Sequence, residues 1–568
     1  MRNKSLADKA WILFVIVLFS IIYQFSGTYA YVEGDDAASI AYHLMGRDDA
    51  MQIPYSPYHG MMDKLLSVLP AEEEILRTTA FGITRYANIL MIILILTLVF
   101  DWLQAFDRNF SSSWRAFISI AVLLAAPEIF YLGLVYSPTL VAMCLVLSAH
   151  LIIRWSYPAA GTSKRTRLIS HIAAMILFGF GVSFRWNVIT YGLVIVTDLI
   201  MIQQISEPIK NRLFLAAGWG ILALLSSFIM INLSGYSFAD ITGAFGIMLI
   251  VINQAGTLSI GNDASSVEIL MRAGLTLSPL LSPIFTLFAL AGLIKLVLNP
   301  SKLTFVVLAG FLSILPWIKS GVPKFIITFL PILIFVFVFG LIVVLDHVKQ
   351  KRYKVVVYTF LIIGLAFPWL VGIRVNQGTS WGPGFELKPF TYQETSGMQF
   401  LMVFGPGLAF PTPEGVRALY GHGYVLFGKW DEFVNSRAAE RQNSIDTALH
   451  LDVPLVITSW SSDYYLDNLY AMGFRTDAPQ DQMAADGYFH ERRFTNSQGK
   501  TILVLFTEIE KDGIPELIDH LKQYPNLQKI VLIGYPQTMR ELYNNYSNIL
   551  EILGPISVVA DLTQLKVK

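Results

Sequence analysis

The sequence predicts a polytopic α-helical membrane protein of about eleven spans, ending in a soluble α/β domain. Three observations carry this. In a chain of 568 residues, 54% hydrophobic content against 14% charged residues and a mean hydropathy of +0.55 are too apolar for a soluble protein of this size. The apolar residues gather in runs of about 20, the length a helix needs to cross a hydrocarbon core of roughly 30 Å. After residue 374 those runs stop, and short strand-like segments alternate with amphipathic ones.

In chain order, the apolar runs occupy 11–30, 85–104, 116–133, 135–155, 169–184, 187–205, 213–233, 276–298, 303–318, 325–345 and 355–373. The first follows a basic start, as a cleaved signal peptide would. It is longer than an h-region of about 7–15 residues and ends among bulky Tyr29 and Tyr31, so it reads as a retained span. Basic residues then set the orientation. Arg2, Lys4 and Lys9, Arg108 and Arg115, Arg154 to Arg167, Lys210 and Arg212, Lys295 and Lys302, and Lys349 to Lys354 all fall on one side, which is read as the cytoplasm. Glu33, Asp35, Asp36, Asp48, Asp49, Asp63 and Glu72 to Glu74 collect on the other. This layout suits a bacterial plasma (inner) membrane, with the N-terminus cytoplasmic.

The sequence divides into a membrane part, 1–374, and a part placed outside the cytoplasm, 375–568. Strands are expected in the second part at 398–404, 424–430, 453–460, 501–507, 529–535 and 556–560, with helices at 461–474, 513–524 and 537–547. That alternation predicts a small sheet with helices packed on it. Neither "FGPGLAF" (404–410) nor "YGHGYV" (420–425) has the glycine order of a dinucleotide site, so no nucleotide cofactor is expected. The one cysteine, Cys144, lies within an apolar run, which excludes a disulfide framework outside the membrane. A formal net charge of zero argues against a nucleic-acid partner. Asn545-Tyr546-Ser547 matches a glycosylation sequon, a pattern too short to carry weight.

Two loops on the acidic side are long, 31–84 and 234–275. The second contains an apolar run too interrupted for a span, which fits an interfacial or re-entrant segment. The first opens on "EGDDA", Glu33 to Ala37, and continues through "PYSPYHGMMDKLLSVLP" (54–70), whose prolines and aromatics indicate an ordered loop. Acids past a span are often only solvated loop residues. Here they stand at the exit of the first helix, ahead of an amphipathic segment.

The order and sidedness of these features resemble the C-type (GT-C) membrane glycosyltransferases, which use polyprenyl-phosphate sugars and include protein O-mannosyltransferases and aminoarabinose transferases. Asp35-Asp36-Ala37 stands where that family carries an acidic pair in its first external loop. Asp63-Lys64 stands where members show a lysine after an acid, although Leu65-Leu66 follows in place of a proline pair. "GVPKFIITFLPILIFVFVFG" (321–340) is similar to the family's late span: Lys324, Leu330 and Pro331 fit, and Phe335 or its neighbours replace a second proline. Arg185 in "GVSFRWNVITYGL" (181–193) matches a basic residue at a turn between middle spans.

The resemblance implies sugar transfer from a polyprenyl-phosphate donor to a glycan, lipid or protein acceptor on the external face, with inversion. Such a transfer needs a base for the acceptor hydroxyl, and a carboxylate suits it; Asp35 is assigned that role. Lys324 and Arg185 are assigned to the leaving phosphate, the alternative being interfacial snorkelling. Glu33 and Asp36 would orient the acceptor, tune Asp35 or share a divalent cation; no metal is assigned. Lys64 and His59 are expected near substrate, and Glu128, at an external turn, in support of them. Competing readings are a glycan ligase or polymerase of similar architecture and a transporter or lipid flippase. The second calls for paired interrupted helices and midplane charges, while the acids here cluster in a loop.

Overall fold

The computed structural model describes residues 6–25, 56–69, 73–106, 108–125, 137–157, 163–201, 208–237, 283–318 and 327–377, and beyond these 385–389, 410–412, 415–420, 442–458, 469, 472–476, 482–483, 490–507, 521, 527–533, 549–554 and 557–563. Helices dominate up to Leu370 and strands follow from Val371.

The helices are α1 (Leu6–Phe25), α2 (Ser56–Leu66), α3 (Glu73–Gln104), α4 (Ser112–Ala125), α5 (Ser137–Ser156), α6 (Lys164–Phe184), α7 (Gly192–Met201), α8 (Ile209–Leu233), α9 (Pro283–Leu298), α10 (Lys302–Ile318), α11 (Leu330–His347) and α12 (Lys351–Leu370). A helix coincides with each of the expected apolar runs. Among the described residues, five stretches can cross a membrane by length and composition: Gly82–Gln104, Ser137–Ser156, Lys164–Phe184, Lys210–Leu233 and Leu330–His347. Ala10–Ile21, Ser112–Ala125, Trp186–Met201, Ile284–Leu298 and Lys302–Pro316 are apolar but shorter. Two details depart from expectation. The loop segment 54–70 contains a helix, α2, with Pro57 in its first turn, where a missing N–H costs nothing. The run at 187–205 opens with a 3-10 helix, Trp186–Tyr191, immediately after Arg185.

Large apolar side chains cover the outer surface of α8 and α12: Phe214, Ile221, Leu224, Phe360, Ile362 and Ile363 are each more than half exposed. Continuous apolar faces of this extent belong against lipid. Inside the bundle, α11 is the central helix, with every residue from Leu330 to Leu341 buried. Phe337 stacks on Phe285 of α9 with ring centroids 4.4 Å apart, and Phe335 meets Trp102 of α3 edge-on at 5.4 Å.

The α9–α11 contact is close because glycines face each other there. A Cβ on Gly340 would run into the Phe288 carbonyl and stand 2.7 Å from the Gly292 nitrogen, while one on Gly292 would meet the Val336 carbonyl. Lipid tails are as apolar as leucine, so helices in a membrane gain from such small-residue approaches rather than from burial alone. The same device joins α6 to α8, where Ser227 Oγ donates to the Gly179 carbonyl at 2.6 Å.

Two sheets follow. The first is antiparallel in the order β2-β1-β4-β3, built from β1 (Val371–Gln377), β2 (Phe385–Pro389), β3 (Phe410–Thr412) and β4 (Gly415–Tyr420). The second has the order β11-β12-β10-β5-β9-β8-β6, with β7 (Gln482–Met483) paired to β8. Its centre is parallel: β5 (Leu455–Thr458) lies between β10 (Lys529–Ile533) and β9 (Thr501–Thr507). Antiparallel strands flank that centre, β12 (Ser557–Asp561) beside β10 and β8 (His490–Thr495) beside β9, with β11 (Leu550–Gly554) and β6 (Arg475–Thr476) at the ends. Leu455, Val456 and Ile457 are fully buried, as expected of a parallel strand covered on both faces. A helix at 442–451 contributes Ile445 and Ala448 to the same core. Four expected strands coincide with β5, β9, β10 and β12. Those at 398–404 and 424–430 lie outside the described residues, as do most of the three expected helices.

If the α9–α11 approach holds the bundle, Gly340→Leu should cost about 1–3 kcal/mol or more of stability. Gly218→Leu in α8, where a Cβ has open space, should leave stability unchanged. Thermal melts of both purified variants in detergent check this; equal melting temperatures would refute it.

Candidate functional site at one end of the helix bundle

Three of the residues singled out in the sequence come together among the described residues. Helix α2 packs against α6 and α8 at the end where those helices finish. Tyr58 meets Phe184 edge-on at 5.7 Å and His59 at 6.0 Å. Gly60 lies so close to α8 that a Cβ there would run into the Ser234 carbonyl. One turn on, Lys64 Nζ donates to the Leu233 carbonyl, one of the carbonyls a helix end leaves open. His59 is buried, whereas the Lys64 side chain stays exposed.

Arg185 sits at the junction. Helix α6 ends at Phe184, and Arg185 is extended (φ −151°, ψ 106°), its N–H donating to the Gly181 carbonyl. The chain then enters the 3-10 helix. Arg185 is completely buried, one of the largest side chains in the protein with no exposure. Next to it, Trp186 packs against Ile231 and Tyr236 at the end of α8. The 3-10 helix also contacts a second short one, Ile327–Phe329, which leads into α11. Lys324 lies outside the described residues, three positions before Ile327. Glu33, Asp35, Asp36 and Glu128 also lie outside the described residues.

The opposite ends of α3, α5 and α7 hold a polar network that sequence reasoning missed. Asp198 of α7 receives Arg154 Nη1 on both carboxylate oxygens, at 2.6 and 2.7 Å. His150 Nε2 donates to Asp198 Oδ2 at 2.7 Å, and Trp102 Nε1 stands 3.5 Å from the same oxygen. Arg154 Nε pairs with Asp101. An Nε2–H imidazole leaves Nδ1 as an acceptor, and the Tyr191 hydroxyl stands 3.3 Å from it. His150, Asp198, Tyr191 and Trp102 are all buried. The signal was present: Asp198 interrupts the apolar run "YGLVIVTDLIM" and His150 lies within "VLSAHLIIRW", and polar groups at membrane depth are expensive unless paired.

No protein-family model and no curated protein sequence matches the chain. Among solved structures, that of ArnT from Cupriavidus metallidurans in the apo state matches over 98% of this chain and 98% of its own, with a TM-score of 0.52 and 14% identity. The chain has an ArnT-like fold. This match supports the GT-C-like fold expected from the sequence. At this identity the likeness is one of fold.

The placement of α2 predicts the effect of crowding it. Gly60→Val should push the helix off the end of α8, break the Lys64 cap and loosen the backbone around Lys64 so that trypsin can cut there. Faster cleavage after Lys64 than in the unsubstituted protein is expected, and an unchanged rate would show that α2 does not depend on this approach.

Proposed function

We propose that this protein is an integral-membrane glycosyltransferase of the GT-C type, with about eleven crossings. It transfers a sugar from a polyprenyl phosphate to an acceptor outside the cytoplasm. The observation that carries the reading is the ArnT-like fold, which runs through both the helical part and the sheets, over 98% of each chain. The convergence of α2, Arg185 and the segment that leads into α11 supports the same end of the bundle as the reacting end.

In this reading residues 1–374 form the catalytic part, 375–568 lie outside the cytoplasm and position the acceptor, and the protein resides in a bacterial inner membrane. The acceptor oxygen attacks the anomeric carbon from the face opposite the phosphate. The bond from that carbon to the phosphate oxygen breaks, its electron pair stays on the phosphate, and the configuration inverts. Asp35 takes the hydroxyl proton, with Glu33 and Asp36 orienting the acceptor. Arg185 and Lys324 hold the phosphate as its negative charge grows, which matters more in a dry site than in water. A buried guanidinium suits this because it stays charged and presents a fixed fork to phosphate oxygens. His59, Lys64 and Glu128 line or support the donor pocket.

Membranes containing the protein, supplied with a panel of radiolabelled polyprenyl-phosphate sugars, should transfer label from at least one donor. Asp35→Asn should lower that transfer by about 10²- to 10⁴-fold, with the variant's melting temperature unchanged. Equal transfer by the variant would remove Asp35 from the role of base. No transfer from any monosaccharide donor would favour the ligase and transporter readings.

A further inference from the structure

We infer that Tyr191, His150, Asp198 and Arg154 form a buried positioning network that holds the 3-10 segment following Arg185 and thereby sets where its guanidinium stands. The holding role rests on geometry alone; its consequence for sugar transfer rests on the function proposed above.

The segment needs outside support. A 3-10 helix has poorer hydrogen-bond geometry than an α-helix and seldom runs beyond a few residues, yet this one covers Trp186–Tyr191. Its supports are visible. Ser313 Oγ of α10 stands 2.8 Å from the Thr190 carbonyl. The Tyr191 hydroxyl reaches His150 of α5. The next residue, Gly192, leaves room for the Phe178 ring, whose Cζ would lie 3.1 Å from a Cβ placed there.

Asp198 fixes the register of everything between it and Arg185. Its carboxylate is satisfied by Arg154 and His150 in the observed register. A slide of α7 by one residue moves it about 1.5 Å along the axis and turns it by about 100°, which carries Asp198 away from both partners and leaves buried charges unpaired. Buried ion networks are weak sources of net stability, but setting register is their best-attested use. Arg154 is in turn held by Asp101 of α3, so three helices agree on the depth of α7. Below Asp198, Arg212 Nη1 donates to the Ile200 carbonyl at 2.6 Å and closes the segment's other end. The chain from Arg185 to Met201 is therefore pinned near its middle and at its far end, and the Arg185 backbone follows.

The test pairs a structural readout with a kinetic one on the full-length protein in detergent. Tyr191→Phe removes one hydroxyl and Asp198→Asn removes the charge while keeping the shape. In both, amide hydrogen exchange over residues 186–191 should quicken about tenfold or more, while residues 332–341 of α11 stay unchanged. Unchanged exchange at 186–191 overturns the inference, as does a uniform increase across the protein. Transfer is then measured in Tyr191→Phe, Arg185→Lys and the double variant. If the network acts through Arg185, Tyr191→Phe lowers kcat about tenfold alone but less than about twofold in the Arg185→Lys background. Equal factors in both backgrounds would show that the network does not act through Arg185. If the unsubstituted protein transfers no sugar while the variants still quicken exchange, the transferase reading fails and the holding role stands.

Discussion

Inside hydrocarbon a polar group finds a partner within the protein or finds none, and this constraint organises the whole molecule. It makes the backbone helical wherever it crosses. It turns hydroxyls back onto the preceding turn, as Thr97 Oγ1 does to the Ile93 carbonyl at 2.6 Å and Ser148 Oγ to the Cys144 carbonyl at 2.7 Å. It also explains why Asp198 is surrounded by donors from two other helices. A carboxylate so fully engaged is a poor base for an external substrate. In the function proposed above, the chemistry accordingly falls at the ends of the helices, away from this cluster.

The two ends of the bundle meet that constraint differently. At one, opposite charges from α3, α5 and α7 satisfy one another, and nothing in that cluster needs a further ligand. At the other, a buried arginine stands at a break between helices beside a short helix from the first long loop. A break places a buried cation at the end of α6 without asking a continuous helix to bend. In the function proposed above, the phosphate of a lipid carrier is the anion this cation would meet.

Much of the fold was legible because membrane helices advertise themselves by length. Each expected run coincides with a helix, and the central strands Leu455–Thr458, Thr501–Thr507 and Lys529–Ile533 were legible because parallel strands covered on both faces are continuously apolar. Strand His490–Thr495 was not, because Arg492 points inward over the Phe506 ring at 5.9 Å and breaks the alternation that marks a strand. The first three residues of strand Val371–Gln377 were read as the tail of the last apolar run, 355–373, since they are as apolar as the helix before them. Arg185 was singled out in the sequence through the family resemblance of segment 181–193, and His59 through its place between Tyr58 and Gly60 in the first long loop. The Asp198 network was not, because its members are scattered over nearly a hundred positions and only packing brings them together.

The junction between the last helix and the first sheet has no slack. Leu370 closes α12 and Val371 opens β1, which pairs on both edges with β2 and β4. With no linker residue between them, a rotation of α12 is delivered to the middle of that sheet as torque, and a load on the sheet is felt by the helix. The two parts are geared rather than tethered. A force on either part thus reaches the other through a single peptide unit.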